Sequence, residues 1–218
     1  NQPKSSFSFN FKLMLYQNLY TRLSKLTLIA VILLGGLDSL TAAAQQPEAN
    51  IRAMLEQRDR DLKKLLGPSG DVPDAKKDQL RNLVNGLIDF DSMGEASLGN
   101  YWETITPTQR TEFVRVFSEI VREQSLADVD IYRAMVIYDA IVADKLTALV
   151  TTTTTYKDVP AKVEYVLLLK GTTWLAKDIV IDKVSTVEGY SRSFQSVIRK
   201  KGFDALMTSL NKRLAKIK

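Results

Sequence analysis

The chain has 218 residues, with 30 Lys or Arg against 25 Asp or Glu and neither His nor Cys. Ser-His-Asp and Cys-His nucleophile systems therefore cannot be built, nor can His or Cys metal sites, which removes most hydrolase and metalloenzyme chemistry. Disulfides are impossible too, so the core alone must hold the fold.

The chain opens with a basic, acid-free stretch carrying Lys4, Lys12, Arg22 and Lys25, an apolar run from Leu26 to Leu37, and small residues ending at Ala42-Ala43-Ala44. This pattern predicts a cleaved signal peptide over residues 1–44. The apolar run, about twelve residues, falls short of the roughly twenty that span a bilayer, and no Cys follows it to accept a lipid. The remaining residues, 45–218, suffice for one domain. They hold 26 basic and 24 acidic side chains, so the overall pI of 9.3 comes partly from the leader and gives no ground for nucleic-acid binding.

Ile51, Met54, Leu55, Arg58, Leu62, Leu65 and Leu66 recur at helical spacing until Gly67-Pro68-Ser69-Gly70 stops them. A second helix is predicted from Asp74 to Ile88, with Leu80, Leu83, Val84, Leu87 and Ile88 inward. Ser92-Met-Gly-Glu95 and Thr106-Pro-Thr-Gln109 each fit a capping box, in which a hydroxyl satisfies a free amide and Glu or Gln reaches back. Two further helices should start there, the second with Pro107 at a position where its missing amide costs nothing. Phe113, Val116, Phe117, Ile120 and Val121 then fall on one stripe. Asp89 and Asp91 lie beside a helix start, where negative charge is favoured.

From about Ala134 the period changes to two. Val136 to Val142, Leu146 to Tyr156, Ala161 to Leu169 and Trp174 to Ile181 read as four strands of an antiparallel meander with short turns. The Thr151 to Thr155 run is expected in a wet edge strand. In the third strand Glu164 and Lys170 mark the polar side, so Val163, Tyr165, Leu167 and Leu169 should point inward; Val166 and Leu168 imply that helices cover part of both faces. Strict alternation in the fourth strand puts Lys177 with Leu175, Ile179 and Ile181, and Asp178 with Trp174, Ala176 and Val180. Polarity does not choose between them, and Ile179 and Ile181 are taken as inward. Helices follow from Val187 to Lys201, carrying Tyr190 and Phe194, and from Phe203 to about Ile217. The class is α+β.

The order and spacing of Leu98-Gly99, Tyr101-Trp102, Thr106-Pro107, Gln109-Arg110, Phe113 and Phe117 is distinctive. It continues through Val163-Glu-Tyr165, Gly171 with Trp174, Asp178 to Ile181, Val184-Ser185, Tyr190, Phe194 and Gly202 to Leu206. This pattern resembles the MlaC family, the periplasmic phospholipid-binding proteins of the maintenance-of-lipid-asymmetry pathway, also called toluene-tolerance proteins. The resemblance implies an NTF2-like curved sheet with N-terminal and C-terminal helices enclosing an apolar cavity. It also implies a periplasmic phospholipid shuttle whose partners are an inner-membrane ABC lipid transporter complex and an outer-membrane lipoprotein-porin complex. The large apolar groups available to line such a cavity are Trp102, Phe113, Phe117, Ile120, Val163, Tyr165, Leu167, Leu169, Ile179, Ile181, Tyr190 and Phe194. Arg192, with Arg199 and Lys200, is the candidate for the headgroup, although Ser191-Arg192 departs from the family's usual order. Neither a cofactor nor a metal is implied. Two alternatives stand beside this reading: an NTF2-like enzyme with Asp178 as a proton-shuttling base on a small apolar substrate, and an assembly module whose apolar surface meets protein. If Leu167 lines the cavity, Leu167→Glu should empty it and leave the fold largely intact.

Overall fold

The computed structural model describes residues 38–217, with side chains from Pro47 onward. The predicted leader up to position 37 lies outside the described residues, and 38–44 run into the backbone of the first helix. The helices are α1 (Asp38–Leu66), α2 (Asp74–Asn85), α3 (Phe90–Leu98), α4 (Pro107–Ser125), α5 (Thr186–Lys201) and α6 (Phe203–Ile217). Between α4 and α5 run β1 (Met135–Ala143), β2 (Thr147–Tyr156), β3 (Val159–Lys170), β4 (Thr173–Ile181) and the two-residue β5 (Val184–Ser185). They form one five-stranded antiparallel sheet in sequence order, the expected meander with one short strand added. Among the described residues no helix is long and apolar enough to cross a membrane.

Thr106 opens α4 as its spacing requires: its hydroxyl accepts the Gln109 amide at 3.2 Å and the Gln109 side chain accepts the Thr106 amide at 2.9 Å. The other expected box is corrected. α3 starts at Phe90, and its cap is Asp89, whose carboxylate accepts the Ser92 amide at 3.2 Å. An ionised carboxylate is at least as good a cap as a serine hydroxyl, and it also meets the positive end of the helix dipole.

Asp89 has a second partner. Its Oδ2 lies 2.6 Å from Lys170 Nζ at the β3–β4 turn. Around it, the Asp89 amide donates to Ala176 O at 2.9 Å and the Ala176 amide to Leu87 O at 2.7 Å, so residues 87–89 run beside β4 and seal part of its edge. Burial alone pushes the Asp89 carboxyl up, but Lys170 and Ser92 outweigh it and hold it below the usual carboxylate range. The unfolded chain then takes up this proton before the folded one does. The stabilisation is present above the unfolded pKa of about 4 and drains away as pH falls through the lower folded value. Asp89→Asn is expected to lower stability at neutral pH and to flatten the acid limb, as urea unfolding at a series of pH values below 5 would report; an acid limb identical to that of the parent would remove Asp89 from the account.

The threonine run is also corrected. β2 lies between β1 and β3, and Thr152 and Thr154 are buried. Their hydroxyls donate to Val163 O at 3.0 Å and Met135 O at 3.2 Å, which lets a β-branched polar residue sit inside without an unpaired group. Thr153 points the other way and bonds Asp139 at 2.7 Å.

The ambiguity in β4 has a structural cause. Pairing with β3 shifts between Val166 and Leu167, so that Val166 meets Asp178 while Leu167 meets Ala176, leaving Lys177 as a bulge. A bulge inverts the alternation. Trp174 and Ala176 therefore share a face with Ile179 and Ile181. On this face α1 lays Ile51 and Leu55, with Leu87, over Ala148, Val150, Leu167, Trp174 and Ala176. The opposite face is open along β1 and β2, where Ile137, Val142 and Leu149 are exposed.

Candidate functional site

α3, α4, α5 and α6 pack around an aromatic centre. Phe113 and Phe117 stack with centroids 5.6 Å apart, Phe194 stands edge-on to Phe113 at 5.8 Å, and Tyr190 is edge-on to Phe117 at 5.1 Å. Phe113, Phe117 and Ile120 retain at most 1 % of their surface. Offset and edge-on contacts of this kind are close packing. These three residues and Phe194 are thus solid helical core.

Tyr190 sits at the margin of that core, its hydroxyl donating to Gln124 Oε1 at 2.9 Å. The next residue on α4, Ser125, offers its carbonyl to the Tyr132 hydroxyl at 2.8 Å. Tyr132 belongs to the short turn Val129–Arg133, and it is close enough to Tyr165 of β3 for their charges to act on each other. Protein encloses all three phenols so fully that desolvation raises their pKa values, that of Tyr165 to about 12. Yet all three residues keep accessible surface. Each is therefore densely surrounded by protein and still half-buried.

Tyr165 belongs to a half-buried stretch of the sheet. Val163 pairs with Ile181 and Tyr165 with Ile179, on the face that α1 covers farther along. All four remain only partly buried. From the expected set, Val163, Tyr165, Ile179 and Ile181 thus share one stretch of that face, while Tyr190 packs in the helical layer. Leu167 is fully buried beneath α1, and Tyr165, Leu169 and Ile179 pack half-buried against the same sheet core. Trp102 packs half-buried against the helical core, with the Arg110 guanidinium 5.1 Å above its ring and Arg110 Nε donating to its carbonyl at 3.0 Å.

Sequence reasoning passed over Tyr132 and Gln124. Tyr132 lies in a connection without a readable period, and the only signal was an aromatic among Val129, Ile131 and charged residues. The turn that carries it is pinned from outside. Tyr156 donates to the Asp128 carboxylate at 2.9 Å, and Arg133 donates to the carbonyls of Leu66, Gly67 and Gly70 at 2.7 to 3.0 Å.

Arg192 is exposed and lies 3.5 Å from Glu188 one turn back on α5. Asp178 has both oxygens engaged: Oδ2 accepts the Ser185 hydroxyl at 2.6 Å and Oδ1 the Val187 amide at 3.0 Å. Ser185 in turn accepts the Glu188 amide at 2.9 Å, so Asp178 completes the cap of α5.

The family model for "MlaC protein" matches residues 62–212. The chain belongs to the MlaC family. The match takes in α4, the whole sheet and most of the C-terminal helices. Among solved structures, the chain is similar to the phospholipid-binding protein from Ralstonia solanacearum, determined in complex with a phospholipid. The two are 22% identical and superpose with a TM-score of 0.64 over 78% of this chain and 97% of that one. The shared fold is an α+β arrangement of helices on an open antiparallel sheet. No curated protein sequence matches this one significantly.

Proposed function

We propose that this MlaC-family protein is a periplasmic phospholipid carrier, exported by its leader and shuttling lipid between an outer-membrane lipoprotein-porin complex and an inner-membrane ABC transporter complex. The observation that carries the reading is the half-buried apolar stretch Val163, Tyr165, Ile179 and Ile181 on one face of the sheet, with Tyr132 close to Tyr165. It offers apolar sheet surface that the core does not fully cover. Membership of the family and likeness to a phospholipid-binding protein support the same assignment.

Acyl chains suit that surface, and the energetics set how the protein must work. At about 0.8 kcal/mol per buried methylene, two chains of some 28 methylenes would lose on the order of 20 kcal/mol on release into water. Release to solvent is negligible at that cost. A bilayer or a second apolar cavity is already dry, so the lipid leaves readily only while the carrier is docked. The enzyme alternative draws no support, because the Asp178 carboxylate is spent on the α5 cap.

Native mass spectrometry of protein purified from cells, with extraction of what it carries, tests the proposal. A diacyl phospholipid at one molecule per chain is the expected result. Protein that stays empty after exposure to phospholipid vesicles would overturn it.

A further inference from the structure

The charge of this chain is segregated along its length. Residues 45–185 hold 18 basic and 22 acidic side chains, whereas residues 186–217, α5 and α6, hold seven basic against two acidic. Pairing is segregated as well. Elsewhere arginines and lysines such as Arg81, Arg110, Arg115, Arg133 and Lys170 lie within ion-pair distance of a carboxylate. On the two C-terminal helices Arg192 alone has such a partner among the described residues, while Arg199, Lys200, Lys201, Lys212 and Lys216 are exposed with none.

Lys212 and Lys216 share a side. On α6, positions 205, 208, 209, 212, 213 and 216 recur at three and four, which places them on one face, turned away from buried Leu206, Leu210 and Leu214. Across from them, Lys200 and Lys201 of α5 join Ser196, Val197, Ala205, Thr208 and Ser209 around a shallow groove of ≈ 500 Å³. Its ammonium groups lie beside the Ser196 and Ser209 hydroxyls with no carboxylate in the lining, the chemistry that receives phosphate oxygens. Within the row Arg213 is half-buried, and its charge reaches the Tyr190 phenol at the margin of the helical core.

We infer that this face of the α5–α6 hairpin docks the protein on an anionic phospholipid bilayer. A protein partner would ask for a large apolar centre within the patch, whereas the groove offers only half-buried Val197 and Ala205 and the exposed large apolar residue of the hairpin is Ile217, at its very end. A membrane surface asks only for cations held near its headgroups, within a Debye length of about 8–10 Å. The inference goes beyond the carrier reading and does not depend on it, since it concerns the outer face whatever the interior holds.

Sedimentation with vesicles tests it, reading the protein and not the transferred lipid. The full exported protein should pellet with phosphatidylethanolamine vesicles containing one third phosphatidylglycerol at low ionic strength, release as salt is raised, and ignore pure phosphatidylcholine vesicles. Each charge removed should weaken partitioning about fivefold, so the triple variant Lys200→Gln, Lys201→Gln, Lys212→Gln should lose roughly a hundredfold. All three positions are exposed, so its circular dichroism and thermal midpoint should match the parent. Equal binding to phosphatidylcholine, or a triple variant that binds like the parent, would overturn the docking face. Failure to bind either vesicle type would do the same, and would leave an acidic protein as the patch's partner. Phospholipid content measured on the same samples separates this result from the carrier reading, because the variant should still carry its lipid.

Discussion

Leu167→Glu should fail to fold, which reverses what the alternation of β3 alone suggests. That alternation treats Val163, Tyr165, Leu167 and Leu169 as equivalent, and a charge at any of them would then merely spoil a cavity. The packing separates them. Leu167 has no accessible surface and stands opposite Ala148 on β2 and Ala176 on β4, with Ile51 and Leu55 of α1 in the same cluster. The two alanines show why the site is so tight: small residues on both neighbouring strands let α1 descend onto the leucine. A glutamate there loses the leucine's burial, about 2–3 kcal/mol, and must also stay unionised or leave a carboxylate unpaired in an apolar layer, which costs several kcal/mol more. That sum rivals the whole stability of an ordinary domain of about 5–15 kcal/mol. Circular dichroism and thermal melting of the purified variant give the test. A variant that keeps the parent's cooperative melt would mean that Leu167 borders space after all.

The contrast between Leu167 and its neighbours also explains what could be read from the sequence. Local signals survived intact. The Thr106–Gln109 box, the stop at Gly67 to Gly70, the meander and the stripe from Phe113 to Ile120 all depend on residues a few positions apart, and each is where its spacing puts it. Signals that depend on a neighbouring strand did not survive. The bulge at Lys177 inverts the phase of β4 only because of how β3 pairs with it, and nothing within Trp174 to Ile181 announces it. Thr152 and Thr154 look like surface until partners for their hydroxyls are known. The same holds for the site. Apolarity picked out the sheet face and both aromatic helices, but how completely Phe117 or Tyr165 is covered is decided by what lies opposite. Phe117 meets rings on two sides, whereas Tyr165 meets Tyr132, from a turn that carries no pattern at all.

Adjacent residues on β4 offer the sharpest separation of interior from exterior, and a charge placed at each should have opposite consequences for bound lipid. Ile179 pairs with Tyr165 on the face that α1 covers farther along and is only partly buried there. Val180 points to the other face, opposite Glu164 of β3 and Ser185 of β5. Under the carrier reading, Ile179→Asp puts a carboxylate on a stem too short to reach water into the slot that an acyl chain would occupy. Desolvating it against a methylene chain costs several kcal/mol, enough to lower lipid affinity by at least two orders of magnitude. The fold loses less, because with the lipid gone water can enter and solvate the charge, so the expected outcome is a folded protein with less than about a tenth of the parent's phospholipid. Val180→Lys adds a charge of the same size at almost the same height, but opposite Glu164, where an antiparallel cross-strand pair of opposite sign is mildly favourable. It should keep its lipid and its melting temperature. Phospholipid per protein, measured on both variants after identical purification, decides the matter: loss at 180 with retention at 179 would place the lipid on the outer face of the sheet, and retention at both would remove the sheet from the binding site altogether.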